Sequence, residues 1–189
     1  VRIRSAVIAA VAAVVVGGAG EASAAPSVGP LGPLTDLAVR RILLGDKVAA
    51  AKFGTGQPID DPVREQQVLD QVAAQSTAMG LPPDVSVRFF QAQIEANKIV
   101  QRGLFRYWTS HPAQRPTKRP DLATEVRPQL DRITAEILQQ LRATLEIRRP
   151  NVECGVWHLQ AELSADIVNR LDKLHRNAVA VSLRPICEL

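Results

Sequence analysis

LSADIVNRLDKLHRNAVAVS, residues 163–182, decides the fold class. Its apolar positions Leu163, Ile167, Leu171, Leu174, Ala178 and Val181 step by 4, 4, 3, 4 and 3 residues. That is the period of a helix with one buried stripe, and it is incompatible with the two-residue alternation of a strand. The spacing predicts a helix from about Val156 to Ser182. Toward the N-terminus, Pro150 to Gly155 reads as a turn that holds Cys154. Before it, Ile133, Ile137, Leu138, Leu141 and Leu145 form a second stripe. That helix begins near Asp121 or Thr124 and reaches about Arg148, with Pro128 suited to its first turn or to a kink.

The Pro-rich segment from His111 to Pro120 is a connection. Pro82-Pro83-Asp84 opens a long helix to about Trp108, with Val87, Phe90, Ile94 and Leu104 on its apolar face. Asp61 as N-cap and Pro62 at the first helical position open another, which runs to about Met79 and closes at Gly80. Glu65 sits one position beyond the capping-box site, which leaves it free for other work. Gly54-Thr55-Gly56 is a loop. Leu37, Ile42 and Leu44 mark a helix from Thr35 to Leu44. Gly45 and Asp46 then read as a stop and a new N-cap, followed by a short helix to Phe53. Strand signals are nearly absent and no internal repeat is seen. The expectation is an all-α bundle of about six helices, three of them long.

The first 25 residues have the features of a secretion leader. Arg2 and Arg4 precede an apolar run from Ala6 to Val16, and Ala22-Ser23-Ala24 fits a processing site. The run is short for a membrane span. Residues 26–189 then form a single domain of about 165 residues, exported to a periplasm-like space or the medium, with no membrane attachment once the leader is removed. The formal net charge of the whole chain is only +4. Basic residues are scattered, and Arg115 to Pro120 (RPTKRP) reads as a solvated linker, so nucleic acid is not an expected partner. Cys154 and Cys187 are an even pair in an exported chain, which favours a disulfide. Cys154 with His158 would supply only part of a metal site, and no metal is expected. His111, His158 and His175 read as surface or packing residues.

A spaced set of polar residues remains: Arg41, Lys52, Asp61, Arg64, Glu65, Asn97 and Gln101. They lie on segments whose other faces are apolar. Arg41 and Lys52 are 11 residues apart and would share one face of a continuous helix about 16 Å apart; a bend at Gly45 would change that distance. Asp61, Arg64 and Glu65 fall at i, i+3 and i+4, and Asn97 and Gln101 at i and i+4. Buried cations need an anion, since an unpaired buried charge costs several kcal/mol. No nucleophile stands beside a base. Such a set binds a dianion and works by positioning and electrostatics.

The run Arg41…Lys52…Ile59-Asp60-Asp61-Pro62-Val63-Arg64-Glu65, followed by Asn97…Gln101, resembles the all-α, AroQ-type chorismate mutases. The leader, the C-terminal helical extension and the cysteine pair make it similar to their exported gamma subclass. The likeness covers roughly Leu34 to Cys187. It implies a chorismate mutase fold with a disulfide-linked C-terminal extension, a homodimer, no cofactor, and conversion of chorismate to prephenate. It implies that Arg41 binds a substrate carboxylate, that Lys52 and Gln101 donate to the ether oxygen, and that Arg64 contacts the opposite end. Asp61 and Glu65 would meet the ring hydroxyl, Asn97 would stand where relatives carry Ser or Thr, and Arg127 would supply the further arginine of the subclass. Val68 replaces a residue that is polar in the mycobacterial relative. Gln101 stands where some relatives carry Glu. The rival reading is a degenerate exported helical domain that binds a small acid or a protein.

Overall fold

A computed structural model describes residues 26–188; the leader assigned to residues 1–25 lies outside them. Among the described residues the chain forms six α-helices and no strand: α1 Gly32–Lys52, α2 Pro62–Ala78, α3 Pro83–Ser110, α4 Arg127–Ala143, α5 Val152–Asn169 and α6 Lys173–Leu183. No described helix is long and apolar enough to cross a membrane. α3 is the central element, packed against α1, α2 and α6, and α4 closes over α1. Leu34, Ile42, Phe89, Phe90, Ile137, Leu138 and Leu141 meet in the shared core. Each side chain of this size stabilises by about 1.5–3 kcal/mol when fully buried.

Local chemistry sets most of the helix ends. Asp61 caps α2 by accepting from the Arg64 N–H at 3.0 Å. Asn151 caps α5 through Cys154 N–H, and Asp172 caps α6 through His175 N–H. Asp121 caps a π-helical turn, Leu122–Val126, that leads directly into α4. Pro128 then sits in the first turn of α4, where its missing N–H costs nothing.

Four boundaries differ from the sequence reading. α1 runs unbroken through Gly45. The glycine is there because α3 crosses against it: a Cβ would lie 3.0 Å from Asn97 Nδ2 and 3.2 Å from Val100 Cγ1. The predicted last helix is two helices. Arg170 adopts the left-handed conformation at φ 49°, ends α5, and lets α6 turn back onto α3. The apolar period runs across the break, but it is not one buried stripe: Leu163 and Ile167 are exposed on α5, whereas Leu171 is buried and Leu174 packs against Gly103 of α3. Cys154 lies in the first turn of α5 and not in a loop. α4 ends at Ala143, where Arg148 folds back to cap it, donating to Leu141 O at 3.0 Å and to Thr144 Oγ1 at 3.1 Å. Cys154 and Cys187 form a disulfide that ties the start of α5 to the C-terminal 3₁₀ turn, Arg184–Cys187.

Candidate active site

A cavity of about 370 Å³ opens between α1, α2, α3 and the start of α4. All seven residues of the polar set line it, and so does Arg127. The continuity of α1 keeps Arg41 and Lys52 on one wall, three turns apart. Phe53, next to Lys52, packs edge-on against Phe105 and Trp108 of α3, both at 5.2 Å between ring centroids, which fixes the end of α1. Lys52 Nζ donates to Pro58 O at 2.8 Å, in the loop leading to α2. Arg64 projects from the first turn of α2 and donates to Gln67 Oε1 at 3.3 Å. Val68 also lines the cavity, an apolar contact at that point of the wall.

Arg41 is fully buried at the back of the cavity. Its guanidinium carbon lies 5.4 Å from the Phe90 ring centroid, and its Nε has no hydrogen-bond partner among the described residues. Burial pushes its pKa down to about 10, partly countered by the Asp131 carboxylate. Burial also lowers the Lys52 pKa, against the pull of Asp61, Glu65 and Asp60, while the nearby Arg127 cation lowers it further. On α3, Gln101 Nε2 donates to Asn97 Oδ1 at 2.8 Å. One N–H of the Gln101 amide remains for a ligand, and its buried Oε1 is unpaired.

Glu65 is not free, contrary to the expectation from its position. Its Oε1 accepts from Asp61 N–H at 3.2 Å, and its Oε2 pairs with Lys98 at 3.0 Å. Lys98 is a cavity residue the sequence reading missed. It also contacts Glu95, and Asp60 at 3.6 Å. Burial alone would depress its pKa, but the hydrogen bonds it donates to Glu95 and Glu65 outweigh that and raise it. Asp60 in turn pairs with Arg102 at 2.6 Å. This chain of charges pins the loop before α2 to α3. Asp131, four residues beyond Arg127 on α4, was missed as well. The only available signal for Lys98 was its neighbour Asn97, since its partner Glu65 is distant in sequence.

The cavity wall carries five cations, Arg41, Lys52, Arg64, Lys98 and Arg127, against three carboxylates, Asp61, Glu65 and Asp131. The formal balance is +2, which matches a small dianion. No side chain in the set is placed as a nucleophile beside a base, so the chemistry open to it is positioning and stabilisation of charge developing on oxygen.

Residues 33–102 match the family model for chorismate mutase type II. The secreted chorismate mutase of Mycolicibacterium smegmatis is 36% identical over 108 residues, which cover 57% of this chain and 59% of that protein. The chain therefore spans less than two thirds of that relative's length. The secreted chorismate mutase of Mycobacterium tuberculosis is 26% identical over 155 residues, covering 82% of this chain and 77% of that one. Among solved structures, a chorismate mutase from Burkholderia phymatum superposes with a TM-score of 0.79 at 33% identity, covering 85% of this chain and 97% of the other. One from Burkholderia thailandensis gives 0.79 and 33%, covering 84% and 99%.

Proposed function

The chain belongs to the type II chorismate mutases, and from that membership we propose that it converts chorismate to prephenate in the cavity described above. The observation that carries the reading is the +2 balance of a cavity whose innermost cation, Arg41, is buried with an unpartnered Nε. Chorismate is a dianion with two carboxylates. Its rearrangement breaks the C–O ether bond ahead of C–C bond formation, so negative charge grows on the ether oxygen and disappears as the product forms.

The roles proposed are those the resemblance implies, and the gathering of these residues around one cavity supports them. Arg41 on α1 and Arg127 at the start of α4 hold the two carboxylates and favour the compact conformer that reacts, with Arg64 of α2 as a further contact. Lys52 and the remaining N–H of Gln101 donate to the ether oxygen. One such donor in a dry site is worth about 3 kcal/mol or more. Asn97 fixes the Gln101 amide, and Asp61 and Glu65 meet the ring hydroxyl. Because Glu65 already serves the helix cap and Lys98, the contact it offers a substrate is oriented before binding.

The same proposal takes the protein to be exported, as one domain after loss of residues 1–25, and to act as a homodimer. Relatives whose names call them secreted support export. So does a disulfide, since such bonds persist in oxidising compartments.

Loss of the ultraviolet absorbance of chorismate, with prephenate appearing in equal amount, tests the activity. Arg41→Ala and Lys52→Ala should each lower kcat/KM at least a hundredfold, roughly the loss of one strong electrostatic contact, with unchanged circular dichroism. No turnover by the wild-type chain would leave a degenerate helical domain. Undiminished turnover by both variants would remove the assigned site.

A further inference from the structure

α5 is apolar on two opposite faces. Cys154, Ala161 and Ala165 are buried on the side that meets α1 and α6. Half a turn round the helix, Val152, Val156, Leu159, Leu163 and Ile167 face outward, each between 55% and 85% exposed. They step by 4, 3, 4 and 4 residues along the full length of α5. A helix with two apolar faces has two surfaces to cover, and the described residues cover only one of them. The five side chains present roughly 500–600 Å² of apolar surface in one contiguous strip, the size of patch that marks an interaction site. Val28 extends it: its N–H donates to Ser164 Oγ at 3.0 Å, and its side chain is also exposed. With its polar rim, the strip approaches the roughly 800 Å² per partner that a stable protein pair buries.

We infer that this strip docks on the same strip of a second copy, with the two α5 helices antiparallel across a two-fold axis. The inference rests on the two-copy assembly proposed above and assigns its surface. The spacing is self-complementary. With Leu159 of each copy at the axis, Val152 of one copy meets Ile167 of the other, and Val156 meets Leu163. A two-fold interface requires such pairing of a patch with itself. The strip carries no charge, and Glu153, Glu162 and Asp166 lie beside it. Asp166 is paired with Arg176 at 3.0 Å and Glu162 with His158 at 3.4 Å, so the border is mixed in charge and is not the basic polar face that a lipid surface selects.

Light scattering and sedimentation of the exported chain test the assembly, and two variants test the surface. The wild type should have twice the mass of one chain at micromolar concentration. Leu163→Glu should weaken self-association at least a hundredfold, giving one-chain mass, with circular dichroism unchanged. Leu159→Cys, which leaves the strip apolar, should be bridged to a covalent pair by a short bismaleimide, whereas Gln139→Cys, exposed on α4, should not. A monomeric wild type overturns both the assembly and the surface, and its flotation with phosphatidylcholine vesicles would give the face to a bilayer. A dimer that survives Leu163→Glu, with no bridging through Leu159→Cys, overturns the surface while leaving the assembly and the activity standing.

Discussion

Gln101 shows how much can depend on one side chain. As an amide it donates a hydrogen bond without first having to gain a proton, whereas a carboxylic acid in its place donates only when protonated. Turnover is therefore expected to stay within about twofold between pH 5 and 8, the range in which ordinary carboxylates and histidines titrate. It should fall on the alkaline side before the usual lysine pKa, because burial depresses Lys52. Gln101→Glu should turn the plateau into an acid-favoured profile, with kcat falling about tenfold for each pH unit above the pKa of the new carboxyl. Matching profiles for wild type and variant would rule out Gln101 as the donor. The polar set could be read from the sequence because its seven members stand together at the spacings of a known family; taken singly, each reads as an ordinary cap, ion pair or exposed helix residue. Lys98 could not. Alone on a helix a lysine reads as a solvated charge, and only the fold brings Glu65 to it.

At the scale of helices, the sequence carried type better than extent. The helical segments announce themselves through stripes, caps and prolines, but α1 was read as two helices and α5 and α6 as one. Gly45 is a crossing point, where the absence of a side chain lets α3 approach, and nothing local distinguishes that from a stop. The break at Arg170 hides because the apolar period runs across it. What secures the returning helix is His175, which the sequence suggested was a packing or surface residue. It is buried between α6 and α1, with Nδ1 2.9 Å from Asp172 and Nε2 2.8 Å from Asp46. Both ring nitrogens face carboxylates, so the ring is an imidazolium. The hydrogen bond to Asp46 leads the effects that raise its pKa to about 9, against burial, with Asp172 adding to the rise. A pKa raised on folding stabilises the folded chain fully below the unfolded value near 6.5, and that stability drains as pH rises through about 9. Discounted for solvent screening, the loss is about 1–2 kcal/mol. Urea unfolding at pH 6 and pH 9.5 measures it, and His175→Gln should flatten the difference by that amount. An equal pH dependence in wild type and variant would mean the bridge contributes nothing.

On the scale of the whole molecule, the chain combines a four-helix bundle that walls the cavity with a C-terminal pair that supplies no cavity residue. α6 is anchored along α3. α5 has less to hold it: its inward face is built from small residues, its outward face is uncovered within one copy, and the Cys154–Cys187 disulfide clamps its start. The bridge spans 33 residues, and closing a loop of that size stabilises by roughly 3.5 kcal/mol in the chain-entropy model. Replacing both cysteines with serine should therefore lower Tm by about 10 °C for a domain of this length. Well below the melting range, kcat/KM should remain within about twofold, because neither cysteine reaches the cavity. Hydrogen exchange separates a local effect from a global one. Amides of α5 and the C-terminal turn should lose protection first, while those of α2 and α3 keep theirs until global unfolding. Uniform loss of protection across all six helices would show that the extension and the bundle fold as one cooperative unit. The disulfide would then support the active site itself, and the activity of the serine variant should fall in step with its stability.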